Sequence, residues 1–132
     1  MLMIYRRHNA TCGVHKLGLP ARAKKFYTKT FGWKMATIPG MGYTMVQTSP
    51  SDKDGMAKEA GNINGGMTER EAPVKHTVVT ISVDDIDKSL KSIVKNGGSM
   101  VQKKTAIGPM GFVAYFKDSE GNIVGLFQGP GA

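Results

Sequence analysis

Cys12 is the only cysteine in this 132-residue chain. One thiol excludes an internal disulfide and a cysteine-cluster zinc site, and it points to a reducing compartment. Long apolar runs are missing too. None approaches the ~20 residues a membrane helix needs. The opening Met-Leu-Met-Ile-Tyr has too few apolar residues before Arg6 and Arg7 for a signal-peptide core. A cytoplasmic protein with no membrane partner is the expectation. Acidic residues are scarce, 10 against 18 Lys and Arg, for a net charge of +8. That balance invites a nucleic-acid reading. The lysines, however, fall as doublets (Lys24 and Lys25, Lys103 and Lys104) and singletons, without the interleaved aromatics of a base-stacking platform. They read as a solvated surface, and no nucleic-acid partner is expected. Serine nucleophile elbows, P-loops and dinucleotide fingerprints are likewise absent.

What is present reads as structure. A chain this long fits one domain or two half-size modules sharing a core, burying about 68% of its unfolded surface. Ile86, Leu90, Ile93 and Val94 make one helical stripe. Asp84, Asp85 and Asp87 crowd the first turn, Lys95 lies in the last, and Gly97 suits the left-handed closing position. The β-branched run His76 to Val83 precedes this helix as a strand. Ser99 to Ile107, Phe112 to Lys117 and Ile123 to Gln128 follow as strands, separated by turns at Gly108 to Gly111 and Asp118 to Asn122. The second half therefore reads β-α-β-β-β.

The first half repeats it. Pro20 to Thr30 reads as a helix with Ala23, Phe26, Tyr27 and Thr30 at stripe spacing and Pro20 at its start. Lys34 to Pro39 and Tyr43 to Thr48 read as paired strands around Gly40-Met41-Gly42. Ser49 to Ala60 is a surface loop, Gly61 to Met67 a weak glycine-rich strand, and Thr68 to Lys75 a polar linker. Gly111 of the second Met-Gly-aromatic triplet follows Gly42 of the first by 69 residues, and Gly97 follows Gly32 by 65. Two similar offsets in the same order indicate an internal duplication. The modules are residues 1–67 and 76–132, joined by 68–75, with residues 1–19 atypical. The first strand is either Gly13 to Leu19 or Met1 to Tyr5.

Several of these segments resemble the vicinal-oxygen-chelate superfamily of glyoxalases, bleomycin-resistance proteins and extradiol dioxygenases. They are Ala23-Lys24-Lys25-Phe26-Tyr27 with Phe31-Gly32-Trp33, Pro39-Gly40-Met41-Gly42-Tyr43, Val83-Asp84-Asp85-Ile86-Asp87, Asn96-Gly97-Gly98, Met110-Gly111-Phe112 and Phe116 to Asn122. They span roughly residues 20 to 128. The resemblance implies an α+β fold in which two βαβββ modules form a curved, eight-stranded mixed sheet around a pocket with helices outside, often completed in a homodimer. It also implies a glyoxalase-like lyase or isomerase acting on a small carbonyl or oxygenated metabolite. A metal-free protein that binds or sequesters a small molecule, of the bleomycin-resistance type, is the alternative.

Metal-dependent members of the family carry ligands on the first and last strands of each module, usually histidines and glutamates. Here the first histidine position falls on Cys12, with His15 out of register. The second histidine position falls near Val78, two residues beyond His76. The glutamate position of the last strand falls on Gly125, and Gly61 to Met67 holds no carboxylate. Neutral Gln128 and Asn64 replace charged oxygen ligands poorly. No cofactor is expected, a divalent metal would need at least two substitute ligands, and true lactoylglutathione lyase activity is not expected. For a metal-free site, His76 is the candidate general base, because an imidazole titrates near neutral pH; a strand-end surface histidine is the plainer reading. Trp33, Tyr43, Met45 and Tyr115 are candidate pocket-lining residues, since aromatics and methionine adapt to flat or irregular ligands. Ordinary core packing would use the same residue types. Asp118 and Glu120 read as turn residues, and Cys12 as an inert thiol.

Overall fold

The computed structural model describes residues 11–17, 20–40, 42–53 and 57–131. The strand alternative at Met1 to Tyr5 lies outside them. Two successive stretches run through the same elements: β1 (Thr11–Leu17), α1 (Pro20–Phe31), β2 (Lys34–Ile38), β3 (Tyr43–Gln47) and β4 (Gly65–Glu69), then β5 (Val78–Ser82), α2 (Ile86–Lys95), β6 (Ser99–Ala106), β7 (Phe112–Lys117) and β8 (Ile123–Gln128). A single 3-10 turn, Gly108–Met110, separates β6 from β7. The fold class is α+β.

The strands hydrogen-bond in the order β2-β3-β4-β1-β5-β8-β7-β6. Each module pairs its first strand in parallel with its last, β1 with β4 and β5 with β8. The modules meet where β1 lies antiparallel to β5. The order is thus the same read outward from that seam in either direction, as a duplicated unit requires.

Period-two alternation divides the sheet into two faces. On the helix side, Ile86 and Leu90 of α2 bury themselves against Ala114, Phe116 and Leu126. Val46 and Met67 meet Ala23, Tyr27, Trp33 and Met35 around α1. On the opposite face, Val78, Val113, Tyr115 and Phe127 form a second core with Val74 of the connecting segment, and Tyr43 packs against it from the first module. That face therefore draws both modules onto one apolar cluster.

The helix ends follow their sequence signals. The Asp85 carboxylate accepts the Lys88 amide hydrogen at 3.1 Å, capping α2. Beyond its end, Gly97 adopts φ 95°. A side chain there would be strained, which is why glycine closes the helix. Three strands depart from the sequence expectation by two residues or more. The first strand is Thr11–Leu17, starting two residues before Gly13. The weak glycine-rich strand runs Gly65–Glu69, so it takes in Thr68 and Glu69 from the expected linker. His76 precedes β5, which begins at Val78. Glycine carries no strand signal of its own, and pairing with β1 and β3 supplies what propensity does not.

Candidate functional site

A cavity of about 340 Å³ opens between the modules. Tyr43 and Thr68, directly opposite one another on β3 and β4, contribute one wall. Gln102 and Thr105 of β6 and Tyr115 of β7 contribute the other, with Ile107, Met110 and Val113 as its apolar part. Glu71 and Ala72, from the segment joining the modules, complete the rim. Tyr115 is 5% exposed, whereas Tyr43 is half-buried.

The hydrogen-bonding groups here are set by backbone irregularity as much as by side-chain type. The β6–β7 register slips on both sides of Gln102. Such bulges re-aim side chains out of strict alternation, and they bring both Gln102 and Thr105 to the cavity. The Gln102 amide donates to the Thr105 hydroxyl at 3.4 Å, and that hydroxyl donates to the Lys103 carbonyl at 2.9 Å. Across the cavity the Thr68 hydroxyl donates to the Gly42 carbonyl at 2.9 Å.

Deeper on the same face lie the first and last strands of each module, where metal-dependent members of the resembled family hold their ion. The positions sharing this face are Gly66 and Thr68 on β4, Val78, Thr80 and Ser82 on β5, and Ile123, Gly125 and Phe127 on β8. By register, Cys12, Val14 and Lys16 of β1 fall in the same rows, opposite Thr80, Val78 and Thr68. No histidine or carboxylate stands among them. His15 stands opposite Met67, a register position on the helix side. At Gly66 a Cβ would run into the Tyr43 phenol, and at Gly125 into the Thr80 side chain. The space a ligating side chain would occupy is thus filled at the corresponding glycine of both modules. Among the described residues, no group of three His, Cys, Asp or Glu is placed to hold a metal. The described residues do not fit the family's divalent site. Two hydroxyls on this face, Thr80 Oγ1 and Ser82 Oγ, are buried without a hydrogen-bond partner.

Gln128 and Asn64, the neutral stand-ins for metal ligands, have other work. Gln128 is 6% exposed, and its Oε1 accepts the Ile86 amide hydrogen at 3.0 Å, securing the start of α2. Asn64 Oδ1 accepts from the Thr48 and Ser49 amides at 2.9 and 3.4 Å, while its Nδ2 donates to Ser51 Oγ at 2.5 Å. Asp118 likewise builds a turn. Its carboxylate accepts the Glu120 and Asn122 amide hydrogens and the Asn122 side-chain amide. These bonds, the Asn122 side chain foremost, hold its pKa below the ordinary value of 3.8.

Of the residues singled out from the sequence, Tyr43 and Tyr115 line the cavity. Met45 lies two positions along the same face of β3, opposite Gly66 and outside the lining. Trp33 sits on the helix side, its ring stacked on Tyr27 at 5.0 Å and beside Phe31 at 5.2 Å. His76 is exposed in the bend before β5, away from the cavity lining. Thr68, Glu71, Gln102 and Thr105 escaped the sequence reading. The first two sit in what reads as a polar linker. The last two belong to a strand whose polar residues read as solvent-facing, and only the run of hydrogen-bonding groups at Gln102 and Thr105 hinted otherwise.

Residues 18–126 match the sequence model of the Glyoxalase/Bleomycin resistance protein/Dioxygenase superfamily. The chain belongs to this family. It is 32% identical over 115 residues to a glyoxylase-like domain-containing protein of Didymella fabae, covering 83% of this chain and 85% of the relative. It is 31% identical over 106 residues to CFP32 of Mycobacterium bovis, a protein named a putative glyoxylase, covering 80% of this chain but only 40% of that longer protein. Among solved structures, a single-substitution variant of methylmalonyl-CoA epimerase from Streptomyces coelicolor, bound to 2-nitronate-propionyl-CoA, superposes with a TM-score of 0.63 at 13% identity, covering 97% of each chain. At that identity the likeness speaks for the fold alone. The family match runs from just before α1 into β8, leaving β1 outside it.

Proposed function

We propose that this family member holds a small molecule in the cavity between its modules, with the eight-stranded sheet curving around it, and does so without the family's divalent metal. One observation carries the reading: Gly66 and Gly125 occupy matching positions on the last strands, with their side-chain space taken by Tyr43 and Thr80. A cavity with hydrogen-bonding walls remains beside them, of a volume within the range of small-ligand sites. Sequestration or sensing needs only binding, and the tyrosines supply flat contact area with a polar tip. The second reading is a lyase or isomerase acting on a small carbonyl or oxygenated metabolite. The glyoxylase names of the relatives favour it. In that case Glu71, the cavity's carboxylate, is better placed to move a proton than the distant His76. A cytoplasmic homodimer is part of the proposal, and sedimentation that finds only monomer at micromolar concentration removes the dimer.

Metal analysis of the purified protein, with thermal-shift titration against Ni²⁺, Zn²⁺, Co²⁺, Mn²⁺ and Fe²⁺, tests the metal-free site. Ligand binding to the native state stabilises it by about 2.7 kcal/mol at a hundredfold excess over Kd. The expected result is no stoichiometric metal and no shift with any of the ions, followed by shifts from members of a metabolite library. A stoichiometric metal with a clear shift overturns the metal-free reading and restores the enzyme as the leading one.

A further inference from the structure

The protein's net charge is carried by one part of the chain. Residues 1–51 hold eight of the 18 Lys and Arg and none of the 10 Asp and Glu. The remaining residues carry ten cations against ten anions, so the whole +8 belongs to the first 51 positions. α1 lies inside that stretch and has no acidic residue along its length. By the helical period, Arg22, Lys25 and Lys29 form one ridge at i, i+3 and i+7, turned away from Ala23 and Tyr27 on the packed side. All three are exposed, and their side chains make no ion pair or hydrogen bond with the described residues. Lys24 stands apart, bonded to Thr37 and close to Glu69 and Glu71. Beside the ridge, Phe26 leaves 56% of its surface in water. α2, by contrast, mixes Asp85 and Asp87 with Lys88, Lys91 and Lys95.

We propose that this ridge of α1 docks an acidic, amphipathic helical segment of a partner protein. Carboxylates at i, i+3 and i+7 of a second helix repeat with the same axial spacing, about 4.5 and 6 Å between successive charges. An apolar residue beside them meets the Phe26 ring. Other anionic partners fit less well. The Tyr27, Phe31 and Trp33 rings stack on one another and form no open row for the bases of a single strand. A lipid surface needs a broad apolar face, whereas Phe26 and Phe31 lie about 140° apart around α1. A second copy in a two-fold contact would set the ridge against itself, cation to cation. The ridge lies on the helix side of the sheet, so its role is independent of the cavity.

Fluorescence anisotropy on the full chain at low salt tests the docking. The probe is a labelled helical peptide of about five turns, with glutamates at the i, i+3 and i+7 spacing and leucines beside them. Its twin carries glutamine for every glutamate. The acidic peptide is expected to bind about tenfold more tightly than the twin, and salt near about 0.5 M to remove the difference. Lys25→Glu combined with Lys29→Glu is expected to weaken it about tenfold or more, since like charges then meet. The milder pair Lys25→Gln and Lys29→Gln is expected to cost about threefold. Lys88→Glu with Lys91→Glu makes the same change in net charge on α2 and is expected to stay within about twofold. Phe26→Ser, at an unchanged melting midpoint, is expected to weaken binding about threefold. Equal losses in the two charge-reversed variants would show attraction to net charge alone and overturn the ridge. No binding of the acidic peptide, or equal binding of its twin, overturns it too. Tighter binding of oligo-dT or of phosphatidylserine vesicles than of the peptide overturns the choice of partner. A marked fall in the melting midpoint of Phe26→Ser would show the ring covered by the chain itself and remove the surface.

Discussion

The two modules share a topology and differ in how firmly their helices are held. Ile86 and Leu90 of α2 are buried, at 0% and 8% exposure, and both ends of the helix are satisfied by Asp85, Gln128 and the Asn96–Gly97 closure. The first turn of α1 has no acidic residue, and Phe26 and Phe31 remain 56% and 58% exposed. Its aromatic rings stack largely on each other and on Trp33, with Tyr27, Phe31 and Trp33 in mutual contact. Duplication thus preserves the strand order while leaving each copy free to distribute its stability differently. The second module is the better-anchored frame. The first contributes Tyr43 and Thr68 to the cavity from a more loosely covered half.

The largest expected effect tests this contrast directly. Ile86→Ala empties a fully buried site and should cost about 2–5 kcal/mol, whereas Phe31→Ala should cost well under half as much because its ring is already mostly in water. Denaturant melts of both variants decide it, and equal losses would erase the asymmetry. Next, Gly125→Ala forces a methyl into the Thr80 side chain, with an expected cost of about 1–3 kcal/mol. Pairing it with Thr80→Ala in a double-mutant cycle should recover part of that loss. Thr80→Val, by contrast, replaces an unpartnered buried hydroxyl with a methyl group and should stabilise by about 1 kcal/mol. A loss instead would show that the hydroxyl is satisfied in solution, by water or ligand. Asp85→Ala removes the α2 cap at a cost of about 0.5–2 kcal/mol. Hydrogen exchange should then bring the α2 amides closer to those of α1.

The smallest effect concerns pH. Asp118 has a depressed pKa in the folded chain, so its ionised form stabilises the native turn above the ordinary value of 3.8. That contribution disappears as pH falls through the lower folded value. Asp118→Asn should therefore melt earlier than the parent at neutral pH, with the gap closing below pH 3.8. A constant gap across that range would assign the turn's stability to hydrogen bonding alone.

How legible each region was follows from the same contrast. The extent and capping of α2 could be read because its stripe, acidic start and closing glycine all agree, the consistency that specifies a structure. The strand at Gly65–Glu69 was weak on paper because glycine serves a neighbour there: Gly66 leaves room for the Tyr43 ring, and nothing local signals that. Tyr43 and Tyr115 could be picked out as large residues on alternating strands. Gln102 and Thr105 could not be placed, since a shift of register decides which way a residue faces. Glu71 reached the rim through the path of the connecting segment, a tertiary outcome beyond any local pattern.

Asn64 has a consequence for how this chain can vary. Its side chain draws together Thr48, Ser49 and Ser51, and a bridge joins Ser51 to Ala57, so the β3–β4 excursion is clamped where it leaves the sheet. Whatever length lies beyond the clamp is insulated from strand register, and lengthening such a loop costs only about 0.6 kcal/mol per doubling. The equivalent β7–β8 connection is the short turn knotted by Asp118, with no slack to extend. Of the two described connections, the one between Ser51 and Ala57 is where new segments, whether acquired by descent or grafted by design, enter at the lower cost.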